Sequence, residues 1–254
     1  MTENGAVELI ADFRKRVKQI EVSLDAAQIE AIEQFCHMIA RYQEHTNLVG
    51  SADLAVLLND HVLDSLTLLP IISAYNATQG SLRVVDLGTG AGFPAIVLAI
   101  AQPLLKVTMI EAVGKKCKFL EDATTRLGLS SRCLILNARA EKVAHEREHR
   151  AAYDIGCARA VGSFDLTAEL VLPFLTAGGL FIAQKSAAQL TQEQERARYC
   201  LPKLGASLQA VIACDESVLG KAKVLMVARK TEPTAPLYPR AWNQIKAHPL
   251  GDSD

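Results

Sequence analysis

No two cysteines in this chain stand as C-x-x-C, no apolar run approaches the ~20 residues that span a bilayer, and neither sign of charge dominates. Each absence removes a class of protein. Cys36, Cys117, Cys133, Cys157, Cys200 and Cys214 are scattered, so they read as buried free thiols and neither as a metal site nor as a disulfide framework. Met1 to Arg16 lacks the apolar core of a secretory signal, so a cytoplasmic protein is expected. A net charge of −1 carries no general attraction for phosphates, and any basic face must be local. What remains is a globular chain of 254 residues, 50% hydrophobic and 22% charged, with no internal repeat. It is one large domain or a domain with a small appendage, able to bury about three-quarters of its unfolded surface.

The stretch around which the rest is organised runs V-V-D-L-G-T-G-A-G-F-P from Val84 to Pro94. A strand ending at Asp86 and Leu87 passes into Gly88, Gly90 and Gly92, and then into an apolar helix from Ala95 to Ala101. Glycines at alternate positions permit left-handed angles and close approach of a ligand to the backbone, and Pro94 suits a helical first turn. Open α/β sheets bind nucleotide-like ligands at such turns. The dinucleotide fingerprint G-x-G-x-x-G would place its third glycine where Phe93 stands, which counts against NAD. Glu111, closing the next strand, offers an acceptor for ribose hydroxyls. Glycine-rich turns are common, so a nonspecific reading of this one stays open.

Residues 1–80 read as a helical region, 81–230 as an α/β domain and 231–254 as an irregular proline-rich tail. Asp25 and Gln28 have the spacing of a capping box, and Ile29, Ile32, Cys36 and Ile39 repeat at helical spacing to about Glu44. Ser51 is a candidate cap for a further helix that stops near Pro70. On that helix His61, Asp64 and Ser65 share one face, either bonding the domain junction or lining a pocket. Strands are expected at 83–87, 106–111, 133–137, 153–158, 179–184, 208–214 and 223–228, mostly parallel, with the last two joined by a short linker, 215–221, as an antiparallel hairpin. H-E-x-x-H occurs at His145 to His149, a zinc motif when helical, but its charged surroundings read as a solvated helix. Lys115, Lys116 and Lys118 read first as a helix face.

The order D-x-G-x-G-x-G then strand-Glu resembles the S-adenosylmethionine-dependent methyltransferases, whose class I fold is a Rossmann-like seven-stranded sheet. More specifically, the chain is similar to the RsmG (GidB) family of bacterial enzymes that methylate ring nitrogen-7 of a guanine in the 530 loop of 16S ribosomal RNA. The resemblance covers nearly the whole chain. It is carried by Asn47-Leu48, His61 to Leu66, Asp86 to Pro94, Gly114-Lys115-Lys116, Arg139-Ala140-Glu141, Ala158-Arg159-Ala160, Gln184-Lys185-Ser186, Tyr238-Pro239-Arg240 and Pro249-Leu250. Val49, where the family usually has Thr, and Trp242-Asn243, in place of a more basic tail, depart from it.

The resemblance implies S-adenosylmethionine as cofactor, held by Gly88 and Phe93 in the turn, by Glu111, Ala112 and Val113 at the ribose, by Ala140 and Glu141 beside the adenine, and by Arg159 near the reacting end. Asp86, Gly90 and Gly92 complete the turn. The implied partner is 16S ribosomal RNA or the small subunit. No general base is expected, because nitrogen-7 carries a free lone pair at neutral pH and alignment supplies the rate. Arg159 or Lys185 could donate to oxygen-6, although Arg159 also reads as a surface ion pair. Lys115, Lys185, Arg159 and Arg240 are expected to form a local basic face. A small-molecule methyltransferase, a noncatalytic nucleotide-binding module and, through H-E-x-x-H, a metalloprotease are the competing readings.

Overall fold

A computed structural model describes residues 3–76, 80–159 and 162–252. Seven strands, β1 (Leu82–Leu87), β2 (Leu105–Glu111), β3 (Cys133–Asn137), β4 (Tyr153–Arg159), β5 (Leu175–Ser186), β6 (Ala206–Ala213) and β7 (Lys223–Lys230), form one sheet in the order β3-β2-β1-β4-β5-β7-β6. The strands from β3 to β5 run parallel, while β7 is antiparallel to both β5 and β6. This is the expected class I arrangement, and the reversal of strand order about β1 and β4 opens a crevice at their carboxyl ends.

Each sheet face carries its own apolar cluster. One joins Val84, Val107 and Ile155 to the helices Glu3–Gln19, Ala26–Gln43 and Leu69–Asn76, so the helical region and the sheet share a core. The other packs Val85, Ile110 and Phe181 beneath the helices Phe164–Val171 and Leu190–Lys203. Asp25 and Gln28 do form a capping box, and Ile29, Ile32, Cys36 and Ile39 are all buried.

Several local expectations fail for identifiable reasons. Asp53, not Ser51, caps the third helical stretch, because its Oδ1 accepts from the N–H groups of both Ala55 and Val56. The helix does stop near Pro70, at Leu66, but Pro70 itself lies in the first turn of the next one, Leu69–Asn76, where its missing N–H costs nothing. The linker after β6 holds one helical turn, Glu216–Leu219, capped by Asp215 and closed by Gly220 at φ 68°. The helical run Leu54–Tyr75, 22 residues with a mean hydropathy of 1.4, is by length and composition able to cross a bilayer, contrary to the expectation that no such run exists. Polar residues interrupt it in sequence. In space Leu57, Leu58, Val62, Leu63, Leu66 and Leu68 are fully buried in the core.

The tail is not irregular throughout, since Trp242–Ala247 is a helix too short to show periodicity. Its Ile245 is buried, and Arg240 anchors it to Glu169. The H-E-x-x-H segment is not a helix, because helical structure ends at Val143 and the chain continues in turns. Arg150 fixes those turns by donating to the carbonyls of Ala144, Thr234, Ala235 and Tyr238. His145 Nε2 meets Pro239 O at 2.9 Å, while His149 Nδ1 meets the Tyr153 hydroxyl at 2.7 Å. Among the described residues no three metal-ligating side chains gather.

Candidate active site at the carboxyl end of the sheet

The chain leaves β1 through three glycines with positive φ, 64° at Gly88, 59° at Gly90 and 93° at Gly92. Their roles differ. A Cβ on Gly92 would stand 2.6 Å from the Ile96 side chain, so this glycine serves close packing of turn and helix, the task assigned to the third glycine of a dinucleotide fingerprint. A Cβ on Gly90 would meet only Gly88 O, at 3.9 Å. Space is kept open there.

Two carboxylates flank that space. Glu111, at the end of β2, accepts from Gly90 N at 3.1 Å through one oxygen and from Val113 N at 2.8 Å through the other, leaving lone pairs on both. Asn137, at the end of β3, donates to Glu111 O and thereby fixes the adjoining strand ends. Ala112 and Val113 are exposed beside Glu111, and Ala140 and Glu141 are half-buried at the start of the next helix. Asp86 is 1% exposed, and neither of its carboxylate oxygens has a hydrogen-bond partner among the described residues. Burial pushes its pKa up to about 7. The Thr89 hydroxyl, the Arg159 guanidinium and the Ala95 N–H pull it back only in part, and none meets it in hydrogen-bond geometry. A buried, orphaned carboxyl is costly and fits an external donor, such as the ammonium end of an amino-acid-like ligand.

Toward the helical region, Arg159 at the end of β4 gathers the predicted reacting-end residues. Its Nη1 donates to Asp64 Oδ2 at 3.3 Å and its Nη2 to His61 Nδ1 at 2.7 Å. The guanidinium lies 5.2 Å from the Phe93 ring centroid, and His61 stacks on the same ring at 5.0 Å. Phe93 is therefore buried, packed also on Phe35, and supports the cation. Because guanidinium cannot accept a hydrogen bond, His61 must carry its proton on Nε2. Burial and the Arg159 charge push the His61 pKa down to about 4, so the ring is neutral at pH 7.

Three expected participants are turned away. Ser65 is fully buried and its hydroxyl donates back to His61 O at 2.6 Å, satisfying a carbonyl in the π-helical stretch Leu57–Val62. Lys185 is 8% exposed, its ammonium held by Gly162 O and by Glu193 Oε1 at 3.0 Å, and Arg240 is spent on Glu169. Neither contributes to a basic surface, because each neutralises a buried acid. Of the four cations expected there, Lys115 is exposed with no ion pair among the described residues and Arg159 is half-buried against Asp64. Ala160 lies outside the described residues. Sequence reasoning missed Asn137, which a polar residue closing the third strand could have signalled, and Glu193, which has no local signal. A cavity of about 610 Å³ between Leu69–Asn76 and strands β6 and β7 contains none of these residues.

Residues 28–219 match the GidB family model, described as rRNA small subunit methyltransferase G. The chain belongs to this family. A ribosomal RNA small subunit methyltransferase G of Deinococcus radiodurans is 36% identical over 91% of this chain and 89% of its own. That of Halalkalibacterium halodurans is 34% identical over 95% and 99%. Among solved structures, the O-methyltransferase TomG from Streptomyces achromogenes, in complex with SAM, superposes with a TM-score of 0.55 at 16% identity, covering 83% of this chain and 92% of that one. The cyclase SpnF superposes at 0.50, with 15% identity. Such likenesses establish the fold, and the cyclase shows that the fold alone does not choose the reaction.

Proposed function

We propose that this member of the GidB family transfers the methyl group of S-adenosylmethionine to ring nitrogen-7 of a guanine in the 530 loop of 16S ribosomal RNA. Family membership supports the enzyme class. The structural observation that carries the reading is the juxtaposition of Asp86, Gly90 and Glu111 with the neutral His61 held by Arg159. The cofactor would bring an activated methyl group on sulfur. Glu111 is suited to hold ribose hydroxyls and Asp86 the amino group, while Val113 and Ala140 supply apolar surface for the base.

At the reacting end no residue has to remove a proton. His61 at pH 7 is a donor through Nε2, not a base, and Arg159 is locked by Asp64, so this cluster positions hydrogen-bond donors. A donor facing oxygen-6 would favour guanine over adenine and leave nitrogen-7 open. The target base must be unstacked or already in a loop to reach the crevice. A cytoplasmic location is the corollary of a ribosomal substrate.

The test is mass mapping of modified guanines in 16S ribosomal RNA from cells lacking the gene. We expect one methylguanine of the 530 loop to disappear and to return with the wild-type gene. An unchanged map would reject the proposal in favour of a small-molecule acceptor. With purified protein, Asp64→Ala is expected to lower turnover much more than cofactor affinity, since Asp64 acts by holding Arg159.

A further inference from the structure

At the opposite, amino end of the sheet, three adjacent strands bring one cation each to the same level. Arg83 on β1 is the register partner of Lys106 on β2, and Arg132 immediately precedes Cys133, the β3 partner of Val107. The Val107 N–H bonds to Arg132 O at 2.8 Å, which fixes that third cation beside Lys106. Strands in a sheet are ~4.8 Å apart, so the three residues stand side by side along the backbone. The three side chains line a cavity of about 300 Å³ with Thr108, Leu134 and Tyr153. Ser130 and Ser131 add two exposed hydroxyls at its rim.

Such a row is not neutralised from within. None of the three cations makes an ion pair among the described residues. The nearest acid in the row, Asp154, spends an oxygen on the backbone N–H of Arg83, while the Arg83 guanidinium lies 5.0 Å from the Tyr153 ring centroid. Arg132 Nη1 is buried yet has no hydrogen-bond partner among the described residues. The only helix directly after β3, Ala140–Val143, is one turn long, and Leu134 remains 48% exposed on the strand before it. This part of the sheet is uncovered and basic in a chain whose net charge is −1.

We infer that Arg83, Lys106 and Arg132 form a binding site for a phosphate group, about 16 Å from the glycine turn by the rise along β1. Guanidinium forks, an ammonium and hydroxyls are the donor set that phosphate oxygens take. A backbone phosphate of the RNA is the favoured source, and that preference alone rests on the proposed function. Free phosphate presents the same chemistry.

The test uses the full chain and the Lys106→Gln/Arg132→Gln double variant, melted against inorganic phosphate at constant ionic strength. The wild type should gain melting temperature saturably with phosphate, the double variant should not, and Lys106→Arg/Arg132→Lys should retain the response. No saturable gain, or an equal gain in the Gln variant, overturns the site. In the second arm, the salt dependence of binding to a small-subunit RNA fragment should lose about 0.7 from its log-log slope in the Gln variant, the share of one phosphate. That loss identifies the RNA backbone as the source, and an unchanged slope beside an intact phosphate response identifies free phosphate. S-adenosylmethionine binding, measured on the same proteins, reports on the glycine turn and so separates failure of this site from failure of the proposed reaction.

Discussion

Buried charge is handled in opposite ways beneath the tail and at the glycine turn. Beneath the tail every acid is matched: Glu169 takes the N–H, Nε and Nη2 of Arg240, Asp165 takes Arg196 and the N–H of Gly251, and Glu193 takes Lys185 and the N–H of Phe164. At the turn Asp86 is as deeply buried and has no partner among the described residues, while Glu111 is only half used. Paired acids with several bonds each hold a fold together, whereas an orphaned one adds instability that a ligand can offset. The contrast separates structure from site without reference to any relative.

Removing a partner from the tail should therefore cost the most stability and the least function. Arg240→Ala leaves Glu169, which is fully buried, without its cation, and should lower unfolding free energy by roughly 3–5 kcal/mol in urea titration. Cofactor affinity of the folded protein should be unchanged. A loss of affinity with little loss of stability would erase the distinction between the two regions.

At the turn the sign should reverse. Burial lifts the folded-state pKa of Asp86 from 3.8 to about 7, so the folded protein holds a proton that the unfolded chain releases between those values. The contribution of this group to stability is present at low pH, falls as pH rises through that window and is lowest above pH 7. Asp86→Asn should consequently stabilise the cofactor-free protein at pH 8, by roughly 2–4 kcal/mol, while weakening S-adenosylmethionine in calorimetry. His61 slopes the other way: with its folded pKa depressed to about 4, stability is present above pH 6.5 and lost as pH falls toward 4. Comparing Asp86→Asn with wild type across pH 4–8 isolates the carboxyl.

Glu111→Ala should weaken the cofactor by ~1–3 kcal/mol, as for a charged hydrogen-bond acceptor removed from a buried partner. NAD should not bind in its place. Calorimetry with both ligands checks this, and a response to NAD with none to S-adenosylmethionine would overturn the reading of the turn.

The sequence exposed what depends on local pattern. Alternation of apolar strands with helices showed the sheet, and all seven strands lie where that pattern puts them, within a few residues. His61, Asp64 and Phe93 stood out as polar or bulky residues in apolar or glycine-rich settings, Arg159 was implied by the family resemblance, and the structure brings the four together. Charge pairing was hidden because it joins different elements. Glu193 follows Lys185 by eight residues but on the next α-helix, and Glu169 is 71 residues from Arg240, so both cations read as free. The tail helix escaped for want of length, and the π-helical stretch because it differs from an α-helix by a single hydrogen-bond offset per turn.

The smallest expected effect sharpens the comparison inside a single helical face. His61 and Asp64 point to Arg159, whereas the Ser65 hydroxyl only returns to the carbonyl of His61. Ser65→Ala removes that donor from a fully buried position and leaves an irregular helical turn with one carbonyl less satisfied. A loss of about 1 kcal/mol is expected from denaturant melts. Turnover of the folded fraction should stay at the wild-type level, because neither the His61 tautomer nor the Asp64 contact depends on the hydroxyl. His61→Ala, four residues earlier on the same face, should instead keep most of the stability and lose turnover, since Arg159 would be free to leave the Phe93 ring. Measuring kcat and melting for both variants decides whether the face divides as the hydrogen bonds divide it. Equal losses of turnover would return Ser65 to the site and make the whole face one positioning unit.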